Sequence, residues 1–138
     1  MYQVTPYGDT DAKDICYNCG SAISRQSYNY FRKILFCNRY NVWSKIWKKD
    51  GTPVGFYFAS RCRDHVRLIE IAVRTEYQGK GIGKMMLRDL LSTMKTFGLY
   101  KLTFRTPIDE PAADFWLHAG ATITGLKDND YEMQIIIR

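Results

Sequence analysis

The sequence predicts a mixed α/β domain with a mostly antiparallel sheet flanked by helices, and three observations carry that expectation. Short β-branched and aromatic runs alternate with stretches of helical periodicity. Turn signals, "DGTP" and "KDND", separate runs that can pair as hairpins. A strand-like run, "HVRLIEIAV", leads through a glycine-rich loop into an amphipathic helix and then another strand, which is a crossover unit.

With 138 residues, of which 46% are hydrophobic, the chain has the size of one domain spanning residues 1–138. It shows no internal repeat or Pro/Ser-rich linker. "YQVTPY" reads as a first short strand. From Thr10 to about Tyr40 the pattern is helical, with a break near Gly20 that divides it into two helices; Tyr28, Phe31, Ile34 and Leu35 form a stripe at three-to-four spacing. "NVWSKIWKK" and "VGFYFASR" flank "DGTP" as a hairpin, and "HVRLIEIAV" extends it into a meander. The next helix runs from about Gly81 to Phe97, with Ile82, Met86, Leu90, Met94 and Phe97 on its apolar face and Gly98 as its stop. "YKLTFRT" is a strand. In "PIDEPAADFWLHAGA", Asp109 can cap a helix, Pro111 suits its first turn and Gly120 ends it. "ATITGL" and "YEMQIIIR" close the domain, giving the order βααβββαβαββ.

Composition narrows the function classes. No apolar stretch approaches the roughly 20 residues of a membrane span. The N-terminus lacks a charged segment followed by an apolar one, so the expected address is the cytoplasm and no membrane partner is expected. Cys16, Cys19, Cys37 and Cys62 are then expected as reduced thiols. Cys16 and Cys19 have the spacing of half a zinc site, but no second close pair follows, and no metal is expected. Residues 21 to 50 hold seven basic side chains against Asp50 alone, a local excess equal to the net charge of +6. Such a block favours anionic partners. Without a nucleic-acid-binding motif beside it, a solvated basic face is the preferred reading.

The strongest local signal is "VRTEYQGKGIGKMML", residues 73 to 87. A helix N-terminus leaves backbone N–H groups unpaired and carries a partial positive charge. Glycines let that backbone approach a ligand, and Lys80 and Lys84 add charge, which together make a pyrophosphate cradle. A P-loop would need Ser or Thr where Met85 stands. The dinucleotide fingerprint fails on glycine spacing (Gly79, Gly81, Gly83) and on the missing acid downstream.

"IAVRTEYQGKGIGKMML" resembles the acyl-coenzyme A signature of the GNAT superfamily of N-acetyltransferases, an Arg or Gln, two residues, Gly, one residue, then Gly or Ala, filled here by Gln78, Gly81 and Gly83. The order of elements matches that family's fold, and "DEPAADFWLHAGA" occupies the place of its downstream motif. The resemblance implies an acetyl-coenzyme A co-substrate. Backbone groups of Ile71, Ala72 and Val73 would hold the pantetheine arm, and the amides of Gln78, Gly79, Lys80, Gly81, Ile82, Gly83 and Lys84 the pyrophosphate. Asp109 would contact the pantetheine or thioester end. Trp116 stands where the family often has a Tyr that protonates the leaving thiolate; an indole N–H is a donor and not a usable acid. Asp109 also replaces the family's usual Asn, and Ala121 its usual Phe.

The implied reaction is direct, ternary-complex transfer of an acetyl group to an amine. A lysine amine is neutral in about one molecule in 2,500 at pH 7, so a base would help. Glu70, an acid in an apolar strand, is the candidate base. Regular alternation would put it with Leu68 and Ala72, opposite Ile69, Ile71 and Val73; a salt bridge to a neighbouring strand is its competing role. Asp64 and His65 are weaker candidates, and His118 reads as a surface residue. Trp43 and Trp47, with Tyr28 and Phe31, are candidate acceptor-pocket walls as well as candidate core. The acceptor amine is undetermined, with a tilt towards one carrying negative charge. Two alternatives stay open, a catalytically weak acyl-coenzyme A-binding module and a nucleic-acid-associated basic domain. A homodimer through exposed strand edges is also open.

Overall fold

The computed structural model describes residues 2–6, 43–108 and 111–138. The two helices expected between Thr10 and Tyr40, with Tyr28, Phe31, Cys16, Cys19 and Cys37, lie outside the described residues.

Seven strands form one sheet. They are β1 (Gln3–Pro6), β2 (Lys45–Lys49), β3 (Thr52–Arg61), β4 (Val66–Val73), β5 (Lys101–Pro107), β6 (Thr122–Lys127) and β7 (Asp130–Ile136). Helix α1 (Ile82–Thr96) joins β4 to β5, and α2 (Ala112–His118) joins β5 to β6. The sheet order is β1-β2-β3-β4-β5-β7-β6. Every pairing is antiparallel except β4 with β5, the pair that α1 bridges. The mixed, mostly antiparallel architecture is the predicted one.

Local chemistry sets the boundaries. Asp50 and Gly51, and again Asp128 and Asn129, adopt positive φ, as the two central residues of a tight hairpin turn require. At the end of α1, the Gly98 N–H donates to the Lys95 carbonyl and the Leu99 N–H to that of Met94, which satisfies two carbonyls the helix leaves free. The buried face of α1 is Ile82, Met86, Leu87, Leu90 and Met94. Phe97, expected on that face, caps the helix instead and is 48% exposed, with its ring 5.3 Å from that of Trp43. Pro111 takes the N-cap position of α2; Asp109, the expected cap, lies outside the described residues.

Both described helices pack on one face of the sheet. The buried side chains of α1 and Trp116 of α2 form a single cluster with Trp47, Tyr57, Ala59, Val66, Leu68, Leu102, Phe104, Met133 and Ile135. Phe56, Phe58, Ile46 and Ala72 are buried too, but stand outside that cluster, on the opposite face. Polar contacts fix α1 on its own side: Asp89 accepts hydrogen bonds from the Tyr57 hydroxyl and, at 3.2 Å, from the Lys45 ammonium.

Two irregularities in β4 shape the end of the strand that leads into the glycine loop. Ala59 pairs with Leu68, but Phe58 pairs with Glu70, so Ile69 is an extra residue in the ladder. The parallel pairing of β4 with β5 is confined to Val66 with Leu102 and Arg67 with Thr103. Beyond Arg67 the two strands part, and the sheet opens into a splay.

Candidate active site

β4 ends at the mouth of the glycine loop. After a single 3-10 turn, Thr75–Tyr77, the chain passes through Gly79 and Gly81 with φ of +80° and +81°. Glycine reaches that conformation without the clash a Cβ would bring. Gly81 is the N-cap of α1; no side chain caps the helix, and no acid sits in its first turn. The N–H groups of the first turn therefore face outward unpaired, at the positive end of a 15-residue helix.

A cleft of about 380 Å³ opens there. Val73, Gln78, Gly79, Gly81, Ile82, Gly83 and Lys84, all predicted for the site, line it. Tyr77 and Phe115 complete the wall and were not predicted. Lys80 does not line the cleft; its ammonium lies 5.2 Å from the centre of the Tyr77 ring, a cation–π contact. The Phe115 ring comes within van der Waals reach of where a side chain on Gly83 would begin, so the aromatic ring packs against the bare helix turn along one wall of the cleft.

The register of β4 shows which backbone groups face the splay. The Arg74 N–H donates to the Val54 carbonyl at 2.7 Å, and Val73 stands opposite Gly55. In an antiparallel ladder this makes Val73–Gly55 a non-hydrogen-bonded pair, and Ile71–Tyr57 another, two residues back. The N–H and C=O of Ile71 and Val73 thus point away from β3, towards the side where β5 has departed. Of the three strand residues predicted to hold an arm of the cofactor, Ile71 and Val73 offer that edge. Ala72 turns its backbone groups to Phe56 of β3.

The bulge decides where Glu70 stands. The extra residue at Ile69 places Leu68 on the helix-covered face and Glu70, with Ala72, on the other, beside Phe58 and Phe56. Simple alternation would have grouped Glu70 with Leu68, and the bulge corrects that expectation. Its carboxylate makes no salt bridge among the described residues, so the competing structural role has no partner there. Burial disfavours its charged form and raises its pKa to about 7.

Other expected residues fall elsewhere. Trp116 is 4% exposed, its ring 4.2 Å from that of Phe104 and tilted to it, and not part of the cleft wall. Its neighbour Phe115 takes the wall position. As α2 is seated, Ala113 and Trp116 share the core face, which turns Phe115 aside. Trp43 and Trp47 belong to the helix-side core, not to the face that carries Glu70. His65 and Asp64 are hydrogen-bonded to each other at 2.8 Å in the turn before β4, at the far end of that strand from the glycine loop. His118 is exposed and bonded to the Asp114 carbonyl. Of the basic block at 21–50, only Lys45, Lys48 and Lys49 are described, and Lys45 is paired with Asp89. No described helix is long and apolar enough to cross a membrane. Among the described residues, no group of three or more His, Cys, Asp or Glu could hold a metal ion.

A family model, the Acetyltransferase (GNAT) family, matches residues 13–121. The chain belongs to the GNAT acetyltransferase family. Solved structures share the GNAT fold along nearly the whole length. The ribosomal-protein-S18-alanine N-acetyltransferase from Escherichia coli is 19% identical with a TM-score of 0.86, covering 99% of this chain and 94% of that one. Ard1 from Thermoplasma volcanium is 18% identical with a TM-score of 0.87, covering 99% and 98%. The PaiA N-acetyltransferase from Thermoplasma acidophilum, solved in complex with coenzyme A, is 14% identical with a TM-score of 0.80, covering 99% of each chain. In this GNAT chain the glycine cleft adjoins the open edge of β4, and Glu70 lies on the same strand, on the face away from the described helices.

Proposed function

We propose that the protein transfers an acetyl group from acetyl-coenzyme A directly to an amine acceptor within a ternary complex. The observation that carries this reading is the continuity of the open edge of β4 with the glycine cleft. Outward backbone groups at Ile71 and Val73 run into the unpaired N–H groups at the start of α1. Those residues fit an acyl-coenzyme A: an amide-bearing arm can add to the strand edge, and a pyrophosphate can sit at an uncapped helix start beside Lys84. A coenzyme A complex is known for the structurally similar PaiA protein. The bound thioester supplies an activated acetyl group.

In this reading the protein's own groups do four things. Gly79 and Gly81 keep the cradle bare of side chains, and the N–H groups from Gly81 to Lys84 face the phosphates. Phe115 closes the cleft wall. The Ile71 N–H, directed into the splay, is the donor for negative charge developing on the carbonyl oxygen. Glu70 is the base that takes a proton from the attacking amine; with a pKa near 7 it is both available as carboxylate and basic enough to be useful. Trp116 offers no acid from its buried place, so the leaving thiolate departs without help from that position. Positioning alone contributes several kcal/mol to such a transfer. A cytoplasmic address belongs to the same reading.

The experiment is a calorimetric titration with acetyl-coenzyme A, using ATP and NAD as controls, followed by an amine screen with thiol release as the readout. Micromolar binding of acetyl-coenzyme A alone, with turnover on at least one amine, is the expected result. Binding without turnover on any amine would favour the weak-binder alternative, which Trp116 in place of the family's usual Tyr motivates. No binding would overturn the cofactor reading.

A further inference from the structure

The Gln78 side chain has a contact that the cofactor reading leaves unused. Its carboxamide N–H donates to the Val73 carbonyl at 2.9 Å. We propose that Gln78 is a positioning residue: it caps the last carbonyl of the open edge of β4 and so fixes the span between the strand that receives the cofactor's arm and the cradle that receives its phosphates. This rests on the acetyl-coenzyme A reading above.

The bond acts on both the strand edge and the loop. Val73 directs its carbonyl away from β3, so without Gln78 that oxygen would belong to the row of edge groups open to an added strand. With Gln78 bonded to it, the edge ends one acceptor earlier. An amide-bearing arm then finds the Ile71 N–H and C=O and the Val73 N–H, and cannot slide one pair towards the loop. The same bond also anchors Gln78, the residue immediately before Gly79, to the end of the strand. The intervening turn also holds the Tyr77 N–H to the Arg74 carbonyl, the Gln78 N–H to that of Thr75, and an Arg74–Glu76 ion pair at 2.6 Å. A neutral carboxamide suits the task because it donates without bringing negative charge to a place meant for phosphates. One hydrogen bond on an exposed side chain adds little to folding, so its effect belongs in binding, through preorganisation.

The test compares acetyl-coenzyme A with 3′-phospho-ADP, the phosphate end of the cofactor alone, by calorimetry on the unsubstituted protein, Gln78→Met and Gln78→Arg. Met keeps the length and removes the donor; Arg restores a donor. Gln78→Met is expected to weaken acetyl-coenzyme A about tenfold and 3′-phospho-ADP by less than about threefold, with an unchanged melting temperature. Gln78→Arg is expected to regain most of the lost affinity. Equal losses for both ligands would mean that the side chain contacts phosphate itself, and would overturn the proposal. No loss for either would overturn it too, leaving the bond idle. If the unsubstituted protein binds neither ligand, the cofactor reading falls and this role with it.

Discussion

Val66 and Arg67, at the start of β4, are paired on both sides, with Arg61 and Ser60 of β3 and with Leu102 and Thr103 of β5. Ile71 and Val73, at its other end, are paired with β3 alone. The first end is closed, and on its core face Val66 and Leu102 are fully buried. The second is a half-used ladder, next to an acid with no ionic partner among the described residues and a helix start with no cap. One strand therefore divides its labour along its length. Where every backbone group is satisfied internally, the strand contributes stability; where the groups are left over, they are free for a ligand.

Substitutions can break or sharpen that contrast. The largest effect is expected at the open end. Gly81→Glu forces a side chain into a left-handed backbone and sets a carboxylate against the phosphates, so acetyl-coenzyme A affinity should fall at least about a hundredfold by calorimetry. A fall of less than about tenfold would mean that the phosphates sit elsewhere.

Glu70→Gln should lower the turnover rate by about 10²-fold or more with the amine found in the screen, and leave the dissociation constant of acetyl-coenzyme A unchanged. The pH dependence should change with it. The unsubstituted enzyme should gain activity as pH rises through about 7, where Glu70 loses its proton, and the Gln variant should lack that inflection. The sign for stability is opposite. A carboxyl whose pKa is raised in the folded state holds a proton that the unfolded chain has already lost, so stability declines as pH rises from about 4.5 to about 7. The Gln variant should escape that decline and melt higher than the parent at pH 8. A variant that melts lower at pH 8 would show that the carboxylate has a stabilising partner after all.

At the closed end, Leu102→Ala should cost about 2–5 kcal/mol of stability in denaturant titration, because it opens a cavity under a fully buried pair. Acetyl-coenzyme A affinity of the folded protein should not move. A loss of affinity comparable to that of Gly81→Glu would erase the division between the two ends. The smallest effect is expected from Phe115→Ala, which thins one wall of the cleft. It should weaken acetyl-coenzyme A by about three- to tenfold, and because the Phe115 ring packs edge-on to Trp116 it should also lower the melting temperature, by less than Leu102→Ala does.

Much of this was legible in the residues. Every described strand and α-helix sits within a few residues of where the residue runs and turn signals put it, because a short β-branched run such as "VRLIEIAV" and the helical spacing in "IGKMMLRDLL" report which backbone period each segment follows. The glycine loop was legible for a related reason: glycine and lysine at a helix start serve no packing purpose, so they stand out against the pattern. Phe115 and Tyr77 were not legible as cleft residues. An aromatic beside a core aromatic looks the same in sequence whichever of the two faces inward, and only the phase of α2 against β5 distinguishes them. Trp43 and Trp47, offered both as core and as acceptor walls, are core: Trp47 from β2 and Trp43, just before it, join the cluster that includes the buried face of α1.

By itself the sequence determined the fold class, the family signature and the bare, basic start of α1, since each of these is written in local spacing. The tertiary structure alone decided where Glu70 faces and which backbone groups of β4 stay open. Both depend on register. One unpaired residue at Ile69 shifts every later side chain relative to the strand alongside, and the parting of β4 from β5 after Arg67 leaves the outward groups of Ile71 and Val73 without a ladder partner. Register is a relation between strands distant in sequence, and no single run of residues contains it.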